Sequence, residues 1–557
     1  MMDKMEKEMP AEKRGKEEDL EKEEEALFWA DQLAKKIVER QKFDYIDKAI
    51  PKFKEFTVKT SASISGVLHI GRLSDTIRGD SVYRALKDLG VKAKFIWVAE
   101  DMDPLRKVPQ GVPADYEKYI GMPITSIPDP EGCHKTYAEH HVSEYMKVLK
   151  KFIHDKMKVY SMQQEYDRGK FRKYIKKAMQ KIEVIKEIQN KYRANPLPKG
   201  WSPWVPVCTN CGKISTTKVI DVKDGLVHYE CSNYYFEKTT AKGCGYKGVA
   251  DPLKDRGKLM WKTEWAAQWA RWKICSEGAG KEYQVPASAF WINGEIAEKV
   301  FSFPMPVPIF YEHLMIDGAK MSASLGNVVY PKDWLNVAEP ELLRFYYNKR
   351  LMKTRSFSWK DLPQLYDEFD ETARIYFGET KLENEKEEKH FKRLYEISAI
   401  KPEPPLGMSF AHATIIAQIF EGKKGMISSL EKTGHYKKEL KKRLLQRIEK
   451  AKYWIEHYAP QEARFVLQQE ISPSINLSEK QKQAIRMVVK ALKEEKKKWN
   501  EKTLFEEFYS ICRELQLEPR EFFKAGYLVL LNMERGPKLA PFVLALGDRA
   551  LKLLEQV

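Results

Sequence analysis

Thr57-Val58-Lys59-Thr60-Ser61-Ala62-Ser63-Ile64-Ser65-Gly66-Val67-Leu68-His69-Ile70-Gly71-Arg72 opens with the alternating β-branched and small residues of a strand. Three serines and a glycine then break the extended pattern, and a run continues as helix through Leu73, Ile77 and Val82. A strand that passes through a small-residue turn into a helix aims backbone N–H groups and a positive dipole end at one point, which is how proteins hold phosphate. His69 and Gly71 sit in the first helical turn, so an imidazole can reach the phosphate and a nucleoside can lie close to the backbone. The same residues also suit a plain strand–turn–helix with a half-exposed histidine.

Downstream, Lys94-Phe95-Ile96-Trp97-Val98-Ala99 reads as a buried parallel strand, and Glu100-Asp101-Met102-Asp103-Pro104 follows it. Strand, helix, strand with polar residues at strand ends is doubly wound α/β logic, with ligands at the carboxyl ends of the strands. The acidic cluster is either a set of helix-capping carboxylates or a pocket wall that binds a cation. Leu27–Val38 has helical spacing and packs beside the first strand. No Walker-type loop or dinucleotide fingerprint occurs, so phosphate binding falls to the serine-rich turn.

The chain has 557 residues, too many for one core, and about three or four domains are expected. No run approaches the ~18 apolar residues of a membrane span, and no apolar leader opens the chain. A cytoplasmic location and no membrane partner are expected. Residues 1–25 carry a net charge of −5 and read as disordered. With the whole chain at +17, the body stands at +22, which suggests an anionic macromolecular partner. An odd count of seven cysteines argues against a disulfide framework.

Residues 136–194 read as helical and highly charged, and Asn195-Pro196-Leu197-Pro198 ends them. Cys208, Cys211, Cys231 and Cys244 come next, and four such sulfurs can converge tetrahedrally on zinc. The gap from Cys231 to Cys244 is wide, as an insertion at 232–243 explains. Reduced structural cysteines remain the other reading. Trp261, Trp265 and Trp269 share a helix face, and Glu264 and Gln268 share another; such tryptophans form core more often than a ligand platform. Gly278–Tyr283 reads as a turn before a helix through Ile296 and Val300. In Asp317-Gly318-Ala319-Lys320-Met321-Ser322-Ala323-Ser324-Leu325-Gly326, a lysine and two serines on a mobile loop can address a polyphosphate. Beyond about Gly378 the strand pattern disappears. Leu440, Leu444, Ile448, Ala451 and Ile455 hold helical spacing, and Ser478 with Gln481 forms a capping box before another helix.

Together these residues resemble the class I aminoacyl-tRNA synthetases. His69-Ile70-Gly71 is similar to the "HIGH" signature, and Lys320-Met321-Ser322-Ala323-Ser324 to the "KMSKS" loop. Longer strings resemble the class I lysyl-tRNA synthetases of archaeal type. They are Phe28-Trp29-Ala30-Asp31, Asp103–Pro109, Ile127–His134 with Tyr137–His140, Tyr366–Asp370 with Arg374–Gly378, and Glu534–Ala540. The resemblance implies an α/β, Rossmann-like catalytic domain with a parallel sheet. It also implies a lysine–tRNA ligase, which makes lysyl-adenylate from ATP and L-lysine and passes the acyl group to tRNA. His69 and Lys320 would be catalytic, and Gly71, Arg72, Met321, Ser322 and Ser324 would bind ATP with them. Ser61, Ser63, Glu100, Asp101, Asp103, Trp265, Glu282 and Tyr283 are the substrate-binding candidates. ATP with Mg2+, structural Zn2+ on the four cysteines, tRNA as partner and a monomeric state are expected. Arg72 stands where the family has a second histidine, Ala323 where it has a second lysine, and Tyr283 where it usually has histidine. Ala287-Ser288-Ala289-Phe290-Trp291 replaces a glycine/serine–tyrosine–aspartate string.

The domain plan that follows is a tail at 1–25 and a first catalytic half at 26–150. A helical connection spans 151–205, a zinc-ribbon insertion 206–250, and the second catalytic half 251–378. An all-helical anticodon-binding domain covers 379–557. Two rivals stand beside it, a class I enzyme or paralogue of other amino-acid specificity and a non-catalytic tRNA-binding relic. A lysine substrate needs a buried carboxylate, for which Glu100, Asp101, Glu264 and Glu282 are available. A relic is expected to lose His69 or Lys320, and both are present.

Overall fold

The structure is a computed structural model that describes residues 28–64, 66–109, 111–321, 326–494 and 499–557. The 1–25 segment lies outside the described residues, as do Ser322, Ala323 and Ser324 of the loop after Lys320. The chain forms two compact units. The first runs to Lys332 and adds Leu343–Phe357 and Glu383–Pro402; the second comprises Asp333–Leu342, Ser358–Leu382 and Glu403–Val557.

In the first unit five strands form one sheet: β1 (Phe56–Ala62), β2 (Ala93–Ala99), β3 (Lys158–Ser161), β4 (Ile274–Gly280) and β5 (Val307–Tyr311). Their order is β5-β4-β1-β2-β3, and every neighbouring pair is parallel. The α/β class read from residues 57–72 and 94–99 is therefore the class observed. From β1 the chain builds outward through β2 and β3, then returns to the other side of β1 with β4 and β5. The strand order thus reverses between β1 and β4, where open α/β sheets open a crevice at the strands' carboxyl ends.

The helix Ile70–Asp88 leaves the β1 turn and is buried along most of its length. It lies so close to the sheet that a Cβ on Gly79 would meet Thr60 Cγ2 at 2.5 Å. Its buried Asp80 is held by Arg344 and by His154, each at 2.6 Å.

Two local expectations change. The 136–194 stretch is not continuously helical, because Lys158–Ser161 is the edge strand β3, pairing with Ile96–Ala99. An edge strand with exposed Lys158 and Val159 shows neither an apolar run nor a clean alternation. Gly278–Gly280 is not a turn but the end of central strand β4. A Cβ on Gly278 would meet Asp75 Oδ1 at 1.9 Å, so glycine there reflects a close side-chain approach rather than a bend.

The cysteine-bearing insertion is a three-stranded antiparallel sheet of Thr217–Lys223, Leu226–Cys231 and Lys247–Ala250. Asp224 and Gly225, both at positive φ, make the tight hairpin turn. Residues 232–243 carry a small hairpin of their own, Tyr234–Tyr235 against Thr240–Ala241, which accounts for the wide cysteine spacing. Trp204–Pro206 pairs with Gly257–Leu259, so the chain enters and leaves the insertion side by side.

The second unit contains no strand among its described residues. Helix Lys441–His457 buries Leu444, Ile448, Ala451 and Ile455, and helix Glu479–Lys493 starts with the Ser478–Gln481 capping box, as the spacing predicts. Arg447 forks onto Asp370 at 2.5 and 2.9 Å and lies over the Tyr366 ring. The Tyr366–Asp370 string thus supplies buried framework here. The units do not divide at residue 378. Helix Glu385–Ser398 belongs to the first unit, where Arg393 binds Asp31 and Asp88 at 2.6 and 2.8 Å, and Leu362–Tyr376 belongs to the second. Ion pairs about 300 residues apart leave no trace in local glycine content.

Candidate active site

A cavity of about 330 Å³ lies at the carboxyl ends of the sheet strands. The end of β1 supplies Ser61 and Ser63, the end of β2 Glu100, the end of β4 Glu277–Gly280, and β5 Tyr311. The helix after β1 contributes His69, Gly71, Arg72, Ser74 and Asp75, and the helix Trp261–Trp272 contributes Trp261 and Trp265. Glu282, Tyr283, His313, Lys320 and Met321 complete the wall. Eleven of the residues singled out from sequence therefore converge here: Ser61, Ser63, His69, Gly71, Arg72, Glu100, Trp265, Glu282, Tyr283, Lys320 and Met321.

His69 caps its own helix, its Nδ1 accepting from the Gly71 backbone N–H at 3.1 Å. Burial, aided by the neighbouring Arg72 charge, pulls the imidazole down to about 4. At neutral pH the ring is thus uncharged, with Nδ1 occupied as acceptor and Nε2–H left to donate. A Cβ on Gly71 would sit 2.8 Å from His69 Cε1 and from Met321 Cε, so any side chain there displaces the ring. Lys320 ends a hairpin, Leu314–Ile316 against Ala319–Lys320, turned by Asp317 and Gly318 at positive φ. The lysine that sequence places on a mobile loop thus starts from a paired strand; Ser322 and Ser324 lie outside the described residues.

Among the four carboxylates of the wall, Glu277, Glu100 and Glu282 are engaged by the protein and Asp75 keeps one oxygen without a partner. Glu277 binds Lys59 at 2.6 Å and the Trp269 indole at 2.5 Å, all fully buried or nearly so. Glu100 accepts two contacts from the Gln268 amide at 3.0 and 3.2 Å and lies 3.8 Å from Lys59. Asp75 receives only the Ser61 backbone N–H on Oδ2, at 3.4 Å, and its Oδ1 is buried with no partner. Burial, reinforced by Glu277, pushes the Asp75 carboxyl up to about 7. Neither Asp75 nor Glu277 stood out in the sequence. In the sequence Asp75 is a polar residue one helical turn beyond Gly71 and Arg72, and Glu277 is a charge inside a strand, which the fold sets in register with Lys59.

The remaining acidic residues are engaged elsewhere. Asp101 does not line the cavity; its Oδ1 accepts the Gln163 backbone N–H at 2.9 Å. Asp103 is bound by Lys258 at 2.9 Å and by the Ser63 hydroxyl at 2.9 Å. Burial alone would raise Asp103, but the Lys258 ammonium holds it below the usual carboxylate range. Lys258 also meets Glu264 at 2.9 Å, and the Tyr166 hydroxyl closes the group on Glu264 at 2.5 Å. Glu282, in the cavity wall, pairs there with His313 at 2.9 Å. Trp265 is core and wall at once, stacked on Trp261 at 4.6 Å and buried on its other side.

Two clusters of the first unit could hold a metal. The sulfurs of Cys208, Cys211, Cys231 and Cys244 lie within 4.8 Å of one another, with Cys208–Cys244 at 3.7 Å and Cys211–Cys231 at 3.6 Å. Zinc–sulfur bonds of about 2.3 Å make a tetrahedron with edges of about 3.8 Å, so the set fits zinc. Asp129, Cys133, His134 and His140 bring four further donor atoms equally close. Backbone N–H groups of Glu131 and His134 aim the Asp129 carboxylate inward.

A family model described as tRNA synthetases class I (K) matches residues 27–401. The lysine–tRNA ligase of Methanosphaera stadtmanae is 31% identical over 539 residues, covering 93% of this chain and 97% of that protein. That of Methanocaldococcus jannaschii is 33% identical over 548 residues, covering 94% and 98%. The Thermococcus kodakarensis lysine–tRNA ligase is 32% identical, again over 94% and 98%.

Proposed function

The chain belongs to the class I (K) tRNA synthetases, and from that premise we propose how its cavity joins lysine to tRNA. ATP lies with its phosphates at the amino end of helix Ile70–Asp88, where free backbone N–H groups and the dipole favour an anion. His69 Nε2–H and Arg72 donate to the α-phosphate as its charge redistributes. The lysine carboxylate attacks the α-phosphorus, and the bond to pyrophosphate breaks while the Lys320 ammonium follows the leaving group. A ribose hydroxyl at the tRNA terminus then attacks the adenylate carbonyl and AMP departs. Such transfers depend on positioning and charge neutralisation more than on covalent catalysis, and Mg2+ bound to ATP adds to that neutralisation.

Lysine brings an ammonium that must not be buried unpaired. Asp75 is the buried carboxylate with a vacant oxygen and takes that charge, while Glu277 and Glu100 are held by Lys59, Trp269 and Gln268. The single observation that carries this reading is the meeting of His69, Lys320 and the unsatisfied Asp75 in one cavity. The four cysteines hold a structural zinc that braces the 206–250 insertion, and Asp129, Cys133, His134 and His140 offer a second site of the same kind. The helical 403–557 region, with its basic faces, meets the tRNA.

ATP–pyrophosphate exchange with each of the twenty amino acids tests the reading. Lysine should support exchange, and Lys320→Ala should lower the rate about 10²–10³-fold, as loss of one transition-state donor does. Preference for another amino acid, or an unchanged rate in the variant, would refute it.

A further inference from the structure

Outside the cavity and the two metal-capable clusters, one group of side chains in the second unit has no explanation within the protein. His412 is the third residue of helix Phe410–Ile419, whose amino end Ser409 caps by accepting the His412 backbone N–H at 3.1 Å. The His412 side chain is 3% exposed, yet neither ring nitrogen has a hydrogen-bond partner. Its Nδ1 lies 3.4 Å from Glu501 Oε1, and His435 Nε2 lies 3.9 Å from the same oxygen. The two imidazoles face each other with centroids 4.3 Å apart.

The neighbours of His435 fix its tautomer. Thr433 Oγ1 donates its proton to the Ser429 carbonyl at 2.9 Å, so toward His435 Nδ1, also at 2.9 Å, it can only accept. Nδ1 therefore carries the hydrogen, and the Nε2 lone pair is directed at the Glu501 carboxylate. Two acceptors face each other across 3.9 Å, with a buried, unpartnered imidazole as the third wall. That spacing is too long for a hydrogen bond. It is close to the separation of ligand atoms around a tetrahedral ion with bonds of about 2.0–2.1 Å, whose edges are about 3.4 Å.

We propose that His412, His435 and Glu501 bind a divalent zinc ion, with water completing the coordination on the exposed Glu501 side. Two imidazoles and one carboxylate suit zinc chemically. A second group that holds a ligating histidine by its other ring nitrogen, here Thr433, is the usual support of such a site. The ion would tie together three segments remote in sequence: the start of helix Phe410–Ile419, the turn at 433–435 and the start of helix Glu501–Glu514. The first and last of these share the hydrophobic core of the unit through Ile415, Ile419, Leu504 and Phe508. The ion would therefore add its binding free energy to the packing of the helical region.

The test is zinc titration of the full-length protein, with bound metal counted after gel filtration, for wild type, Glu501→Gln, His435→Gln and Thr433→Val. Glu501 is 45% exposed, so its replacement does not threaten the fold. The cysteine and Asp129 clusters contribute equally to all four proteins and cancel. Wild type should bind one zinc more than Glu501→Gln and His435→Gln, and Thr433→Val should bind that ion about 10–100-fold more weakly. Cobalt substitution gives a second readout. The ion lost in the variants should remove weak visible bands and leave the sulfur charge-transfer absorption intact. Equal zinc content in wild type and the Glu501 and His435 variants, or loss confined to sulfur-ligated cobalt, overturns the site.

Discussion

Two groups of buried charge stand side by side at the carboxyl edge of the same sheet, and they are built differently. Around Lys258 every charge is answered, with Asp103 and Glu264 on the ammonium, Ser63 on Asp103 and Tyr166 on Glu264. Around Asp75 one oxygen is left with nothing. The first arrangement is what burial demands of ions that only hold a fold together. The second costs stability in the empty enzyme and is repaid when a cation arrives. Of these two acidic groups, the incompletely satisfied one lines the cavity, and that is where a ligand is expected.

The sharpest way to break this comparison is to remove the centre of the closed group. Lys258→Met should destabilise the first unit by about 3–5 kcal/mol, since Asp103 and Glu264 then face each other without a cation. Urea unfolding measures this, and exchange activity should fall toward both substrates together. A variant as stable as wild type would show that the group carries no structural load.

Asp75→Asn should do the reverse. A charge-assisted hydrogen bond contributes about 1.5–3 kcal/mol, so the Michaelis constant for lysine should rise about 10–100-fold. The constant for ATP should hold, and the melting temperature should hold or increase. Loss of stability with unchanged lysine affinity would assign Asp75 to the framework.

pH sharpens the contrast further. The folded Asp75 carboxyl, raised to about 7 from an ordinary value of 3.8, binds its proton more tightly than in the unfolded chain. The charged form therefore destabilises the native state, and wild type should lose ground to Asp75→Asn as pH climbs from about 4 to 7. Below about pH 4 the gap should close. Lysine should bind more tightly as pH rises through about 7, when Asp75 ionises. A flat difference between the two proteins across this range would contradict the buried, unpartnered carboxylate.

The smallest effect is expected at Ser63, whose hydroxyl is already engaged by Asp103. Ser63→Ala should cost about 0.5–1.5 kcal/mol in stability and leave lysine affinity near wild type, because Asp103 keeps Lys258. A large rise in the lysine constant would place Ser63 on the substrate instead.

Much of this site could be read directly from the chain. His69, Gly71 and Arg72 lie together in the first helical turn, and Lys320 and Met321 are adjacent, so these residues of the cavity wall come as short strings. The cysteine spacing, the Ser478–Gln481 capping box and the 3.6-residue rhythm of Leu444, Ile448, Ala451 and Ile455 are equally local. Periodicity and neighbouring chemistry fix such features before any long-range contact forms.

The choice among carboxylates was different. Glu100, Asp101 and Asp103 are three neighbouring carboxylates in the sequence, yet one faces the cavity, one accepts the Gln163 N–H and one is bound by Lys258. Asp75 looked like an ordinary helix residue, and the glycine at 278 that makes room for it looked like a turn. Which carboxylate remains unpaired depends on Lys59, Gln268, Trp269 and Lys258, all supplied by strands and helices far away in sequence. A sequence states which charges are present; only the packed structure decides which of them the protein has already neutralised.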